Sequence, residues 1–131
     1  MHKKFVFKKF EKLTSLVDYI LSIKNLEAVL LNGELGAGKT TLVAQIANKL
    51  GERKTIISPT FNTILVYDKL VHIDAYKLKG DLFAYEDYFE DKLVVIEWAN
   101  NVITNFKNYL AIDVYFDENQ NHVFEIVKEV S

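Results

Sequence analysis

The sequence predicts an α/β protein with a mixed central sheet in a three-layer fold. Two apolar runs, residues 28–31 and 93–96, carry this prediction, because strands covered on both faces form continuous hydrophobic segments. The first run is followed by a helical periodicity at residues 42, 43, 46, 47 and 50. The chain has 131 residues, half of them hydrophobic, which indicates one domain spanning residues 1–131.

The segment between this strand and this helix reads Gly33-Glu34-Leu35-Gly36-Ala37-Gly38-Lys39-Thr40, which matches the phosphate-binding loop GxxxxGK[ST]. In such a loop the glycines let backbone N–H groups point at nucleotide phosphates, the lysine reaches the terminal phosphates, and the hydroxyl coordinates Mg²⁺. A chance glycine-rich turn is the alternative, and the flanking strand and helix disfavour it. The fold prediction is therefore P-loop NTPase-like, with Lys39 as a catalytic residue.

Acidic side chains end two further predicted strands. Glu97 follows the run 93–96, at the end of a strand where open α/β sheets place ligands, and P-loop enzymes use an acid there to hold Mg²⁺ or orient water. An ordinary strand end is the alternative. His72 and Asp74 share one face of a second strand, and His72 is the only one of the three histidines with an acidic neighbour on its face.

The remaining elements follow from local patterns. An opening strand covers residues 5–7, and a helix with apolar residues from 16 to 23 begins at a cap at or near Thr14. Gly51 is a plausible C-cap of the helix after the loop. Further predicted elements are a short strand at 55–57, a hairpin of strands 63–67 and 70–73, a helix followed by a loop within 81–91, a helix at 100–108, and an antiparallel hairpin of strands 109–116 and 122–127.

The amino-acid composition excludes several kinds of protein chemistry. The chain has no cysteine, which excludes disulfides, thiolate zinc sites and thiol catalysis, and no run approaches the length of a membrane span. We expect a cytoplasmic protein that contacts neither membrane nor DNA. The five lysines within the first twelve residues either contact RNA or form a solvated face beside an edge strand, and the second interpretation is favoured.

Two nucleotide-using classes fit poorly. A GTPase needs a guanine-reading NKxD motif, and the only Asn-Lys pair, at residues 48 and 49, lacks the aspartate. A small-molecule kinase uses arginine forks to clamp phosphoryl groups, and this chain has one arginine, Arg53. The kinase therefore remains a distant alternative.

Four motifs together resemble the TsaE (YjeE) family of bacterial ATPases, which are needed for threonylcarbamoyladenosine formation in tRNA. In this sequence they read Gly33 to Thr41, Ser58-Pro59-Thr60-Phe61, His72-Ile73-Asp74-Ala75-Tyr76-Lys77-Leu78 and Ile96-Glu97-Trp98. The resemblance covers nearly the whole chain, and the conjunction of the four motifs is more specific than the P-loop alone.

The resemblance implies ATP and Mg²⁺ as cofactors and the proteins TsaD and TsaB as partners, with an indirect connection to tRNA. It assigns Lys39 and the loop amides to ATP, Thr40 and Glu97 to Mg²⁺, and Asp74 to the metal or water site. By family analogy it also assigns Thr41 and Thr60 to nucleotide binding, with Thr60 in a nucleotide-sensing loop, and places Glu11 and Thr14 near the adenosine.

Two positions depart from the family pattern. Glu34 stands where Asp is usual in the family, and Lys77 stands where Arg is common. The ammonium group of Lys77 lacks the planar fork with which an arginine makes a bidentate contact. A different class of function is also compatible with the sequence, namely a docking module that ATP switches and in which hydrolysis is incidental.

Overall fold

The structure is a computed structural model that describes residues 2–34, 36–57 and 63–131. Its α-helices and strands, in chain order, are β1 (Lys3–Phe7), α1 (Thr14–Ser22), β2 (Ala28–Gly33), α2 (Lys39–Lys49), β3 (Ile64–Val66), β4 (Leu70–Asp74), β5 (Leu93–Glu97), β6 (Tyr109–Phe116) and β7 (His122–Val130). Two 3₁₀ helices, Phe83–Tyr88 and Ala99–Asn101, flank β5 in the chain.

All seven strands form one mixed sheet in the order β1-β7-β6-β2-β5-β4-β3. The central strands β6, β2, β5 and β4 run parallel to their neighbours within that group. Both edges are antiparallel, through the pairs β3–β4, β6–β7 and β1–β7. The predicted mixed sheet of an α/β fold is thus confirmed.

The two faces of the sheet are covered differently. Both α-helices pack on one face, where the buried side chains of α1 and α2, such as Leu16 and Leu42, meet Val29 and Val95 from the sheet. The opposite face is covered by the 3₁₀ helices and their loops, with Leu82 and other apolar residues packed on the strands. The third layer therefore consists of short 3₁₀ turns and loops instead of α-helices.

Three local predictions were wrong. Residues 55–57 form no strand, and the segment predicted as a helix at 100–108 contains only the end of the 3₁₀ helix Ala99–Asn101. Thr14 does not cap α1: Leu13 occupies the N-cap position, and no side chain there bonds to the helix. The stretch 81–91 does contain a helix followed by a loop, as predicted, but the helix is the short 3₁₀ helix Phe83–Tyr88.

The sheet brings three strand ends to one edge. The carboxyl ends of β2, β4 and β5 are Gly33, Asp74 and Glu97, and because these strands run parallel their ends meet at the same side of the sheet. Within the described part of the chain, no helix has both the length and the apolar character that crossing a membrane requires.

Candidate functional site

The loop between β2 and α2 has the backbone that its glycines allow. Gly33 has φ +147°, and a Cβ atom there would lie 1.9 Å from the carbonyl oxygen of Val114 on the neighbouring strand. Gly38 precedes α2 with φ +119°, a left-handed conformation that side chains disfavour. α2 then begins at Lys39, so its unpaired N–H groups and positive dipole end point into the loop.

Lys39 folds back over this loop. Its Nζ donates to the carbonyl oxygens of Gly33 at 2.6 Å and Glu34 at 3.2 Å, and it lies 4.2 Å from the centre of the Trp98 ring. The side chain is only 5% exposed. Burial lowers the pKa of Lys39 below its ordinary value of 10.5, while the nearby carboxylates of Glu97 and Asp74 oppose that shift.

Thr40 and Glu97 are in direct contact. The Thr40 hydroxyl donates to Oε2 of Glu97 at 3.0 Å, which joins the first turn of α2 to the end of β5. Glu97 is 6% exposed, so a carboxylate is held in an almost water-free position beside the loop. Hydroxyl and carboxylate groups are the kind of hard-oxygen ligands that Mg²⁺ prefers.

Asp74 lies opposite Glu97 on the neighbouring strand. The two residues are paired in the parallel register of β4 and β5, so their side chains leave the same face of the sheet. Oδ1 of Asp74 accepts a hydrogen bond from the N–H of Tyr76 at 2.9 Å. Among the described residues no group of three or more His, Cys, Asp or Glu is placed so that it could hold a metal ion.

An aromatic pair closes one side of the site. Trp98 follows Glu97 with φ +58°, and its ring meets that of Tyr76 edge-on with the centres 5.0 Å apart. Trp98 is half-buried. The Trp98 ring therefore lies beside both the Lys39 amine and the end of β5.

The structure leaves some predicted site residues apart from this centre. Glu11 and Thr14 are exposed, and Oε1 of Glu11 accepts from the N–H of Lys8. Thr41 is exposed on α2. Leu35, Thr60 and the rest of the segment 58–62 lie outside the described residues.

Two histidine contacts were not foreseen. His122 on β7 lies 2.7 Å through Nδ1 from the carbonyl oxygen of Ala37 and thereby supports the loop. His72, expected beside Asp74, contacts Glu97 instead, with Nε2 2.5 Å from Oε2. No sequence motif indicates the contact of His122 with Ala37, because the two residues are 85 positions apart. The contact of His72 with Glu97 can be predicted only once β4 is known to lie beside β5.

The fold and this loop define a P-loop protein of the α/β class. The family model described as "Threonylcarbamoyl adenosine biosynthesis protein TsaE" matches residues 7–124. Because the match covers most of the sequence, the chain belongs to the TsaE family.

Relatives named tRNA threonylcarbamoyladenosine biosynthesis protein TsaE support this membership. The Streptomyces coelicolor protein is 40% identical over 88 residues, which are 59% of this chain and 60% of that protein. The Rickettsia felis protein is 42% identical over 60% of this chain and 51% of its own length, and the Rickettsia typhi protein is 38% identical over 70% and 67%. The chain thus spans about half to three-fifths of the first two relatives.

A solved structure supports the fold. Bacillus subtilis YdiB superposes with a TM-score of 0.64, covering 98% of this chain and 88% of that one, at 22% sequence identity. At this identity the likeness concerns the fold alone.

Proposed function

We propose that this chain binds and hydrolyses Mg-ATP in support of threonylcarbamoyladenosine modification of tRNA, acting in the cytoplasm with TsaD and TsaB. The observation that carries the proposal is the contact of Thr40 with Glu97 at the mouth of the phosphate-binding loop, 3.0 Å between oxygens. The names of the relatives supply the pathway, and the family resemblance supplies the partners.

The residues of the loop have separate roles in this proposal. The N–H groups at the start of α2 bind the phosphates, aided by the helix dipole. Lys39 exchanges its contacts with the loop carbonyls for the terminal phosphates, a short movement of Nζ because those carbonyls belong to the same loop. Trp98 covers the amine and keeps water from it.

Thr40 and Glu97 would hold Mg²⁺, with Asp74 contributing to the metal or to the attacking water. Bound Mg²⁺ supplies charge neutralisation of the phosphates during transfer. Glu97 is fixed for this by its burial and its hydrogen bonds, whereas Asp74 is half-buried and bonded through one oxygen to Tyr76.

The proposed function can be tested by reconstituting tRNA modification from purified components. Purified chain, TsaD, TsaB, tRNA and a threonylcarbamoyl-adenylate donor are combined with ATP and Mg²⁺, and threonylcarbamoyladenosine is quantified by mass spectrometry. We expect turnover of tRNA to require this chain and hydrolysable ATP. Unchanged modification when the chain is omitted would contradict the proposal.

The same experiment distinguishes the docking-module alternative. If a non-hydrolysable ATP analogue sustains repeated rounds of modification, nucleotide binding alone is sufficient and hydrolysis is incidental. If the analogue permits only a single round, hydrolysis is part of the cycle.

A further inference from the structure

A fully buried histidine contacts the acidic residue of the site. His72 in β4 has 0% exposure, and its Nε2 lies 2.5 Å from Oε2 of Glu97. The same oxygen accepts the hydrogen bond from the Thr40 hydroxyl at 3.0 Å. One carboxylate oxygen therefore joins β4, β5 and α2.

The hydrogen bonding identifies the form of the ring. A carboxylate accepts hydrogen bonds and cannot donate them, so the proton in this contact lies on Nε2. The other ring nitrogen, Nδ1, is buried and has no hydrogen-bond partner among the described residues. The nitrogen that has a hydrogen-bond acceptor beside it is therefore Nε2, and an N–H there satisfies both the ring and the carboxylate.

The contact restricts Glu97. A glutamate side chain has several rotatable bonds, and ordering it costs conformational entropy. The bond from His72 adds to the burial in restricting the side chain of Glu97. Both bonds from described residues use Oε2, which leaves Oε1 available.

We propose that His72 is a positioning residue: its Nε2–H holds the Glu97 carboxylate so that Oε1 and the Thr40 hydroxyl face one Mg²⁺. This inference rests on the proposed function. Carboxylate ligands of metals are commonly held by such a second hydrogen bond, and its removal typically costs about 10–100-fold in metal affinity.

Two substitutions separate positioning from packing. His72→Leu fills the buried space but removes the donor, and His72→Gln keeps an N–H donor at a similar reach. Val71→Ala is the matched control, because Val71 is equally buried on the same strand but faces the other side of the sheet. It lowers stability without touching Glu97.

The readout is the gain in affinity for a non-hydrolysable ATP analogue when Mg²⁺ replaces EDTA, measured by calorimetry. We expect His72→Leu to lose about 10-fold or more of this gain with its affinity in EDTA unchanged, while His72→Gln and Val71→Ala keep most of it. A full gain in His72→Leu, or an equal loss in both His72 variants, would overturn the inference. If His72→Leu does not fold, the Gln variant and the spectrum of the native protein remain decisive.

The ring itself provides a direct measurement. ¹⁵N spectra of the native protein, assigned with His72→Gln, should show a proton on Nε2 of His72. A ring with its proton on Nδ1 and none on Nε2 would lack the proposed bond and refute the inference. Absence of any Mg²⁺-dependent nucleotide binding in the native chain would instead refute the proposed function, so the two failures are distinguishable.

Discussion

At the scale of single residues, we expect nucleotide binding to depend most on the side chain of Lys39. Its amine is desolvated and held by two loop carbonyls, so it is already directed at the loop interior. Replacing it with alanine removes charge-assisted hydrogen bonds to phosphate, each worth about 1.5–3 kcal/mol. We therefore expect Lys39→Ala to weaken ATP binding at least ~10-fold in calorimetry, with a melting temperature close to that of the native chain.

A second lysine of the same helix provides the control. Lys49 lies in the last turn of α2, where its amine is 3.8 Å from Asp18 on the surface. Lys49→Ala removes the same charge at the far end of the helix and should leave ATP affinity unchanged. Equal ATP affinity in Lys39→Ala and the native chain would mean that the loop does not bind phosphate.

The two acids of the site need different substitutions. Glu97 accepts two hydrogen bonds while buried, so Glu97→Ala would leave Thr40 and His72 unpaired and lower stability as well as activity. Glu97→Gln and Asp74→Asn keep the shape, and we expect each to reduce Mg²⁺-dependent turnover at least ~10-fold, a loss of about 1.4 kcal/mol of transition-state stabilisation.

Glu118→Gln is the control for both variants, because Glu118 lies on the exposed turn after β6. A nucleotide-bound structure provides the geometric check. Carboxylates of Asp74 and Glu97 more than about 12 Å apart there would rule out a shared site, since Mg²⁺ ligands lie at ~2.1 Å.

At the scale of elements, the turn between β6 and β7 is organised by Asp117. Its Oδ1 accepts hydrogen bonds from the N–H groups of Asn119 and Asn121, both at 2.9 Å. The backbone bond from Asn121 is the main cause that lowers the pKa of Asp117 below its ordinary 3.8. A lowered carboxylate pKa stabilises the fold above the unfolded-state pKa, and this contribution is lost as the pH falls through the folded-state pKa.

We expect Asp117→Ala to have a lower melting temperature than the native chain at neutral pH. The difference should shrink as the pH falls below about 3.8, where the carboxylate of the unfolded chain becomes protonated, and should continue to shrink until the pH passes the lower pKa of the folded state. Glu118→Ala, one residue away and exposed, removes the same charge and should show no such pH-dependent difference. A difference for Asp117→Ala that is constant with pH would show that the turn does not depend on the ionised side chain.

Elements with strong local patterns were predictable from the sequence, and weakly patterned ones were not. The strand, loop and helix around Lys39 and the apolar strand ending at Glu97 are specified by motif and composition. Residues 100–108 contain Val102, Ile103 and four asparagines, which are poor helix formers. Ile103 instead donates its N–H to the carbonyl of Gly80 at 2.7 Å, a tertiary contact that no local pattern reveals.

At the scale of the whole molecule, strand order decides which side chains of the site meet. Glu97 reaches His72 because β5 lies beside β4, and His122 reaches Ala37 because β7 folds back on β6. Hydrophobic periodicity identifies strands but not their neighbours, so the sequence predicted Lys39, Thr40, Asp74 and Glu97 as site candidates without the contacts of the two histidines.

The arginine content of the molecule bears on the rate at which it can hydrolyse ATP. Arg53 is the only arginine, and it is exposed beyond the end of α2, roughly 15 Å from the loop by helical rise. Lys77, in the family motif, is exposed and lacks the planar fork that clamps phosphoryl oxygens. We therefore expect slow hydrolysis by the isolated chain and acceleration by TsaD and TsaB, since an arginine supplied in trans is worth roughly 10³–10⁵ in the best-studied cases.

The measurement compares phosphate release by the chain alone with release in the presence of both partners. Arg53→Ala is the internal control: because Arg53 lies far from the phosphates, this variant should show the same basal rate and the same acceleration as the native chain. A fall in both rates would place Arg53 in catalysis and remove the need for a partner's arginine. Rapid hydrolysis by the native chain alone, unchanged by TsaD and TsaB, would show that its own residues complete the site.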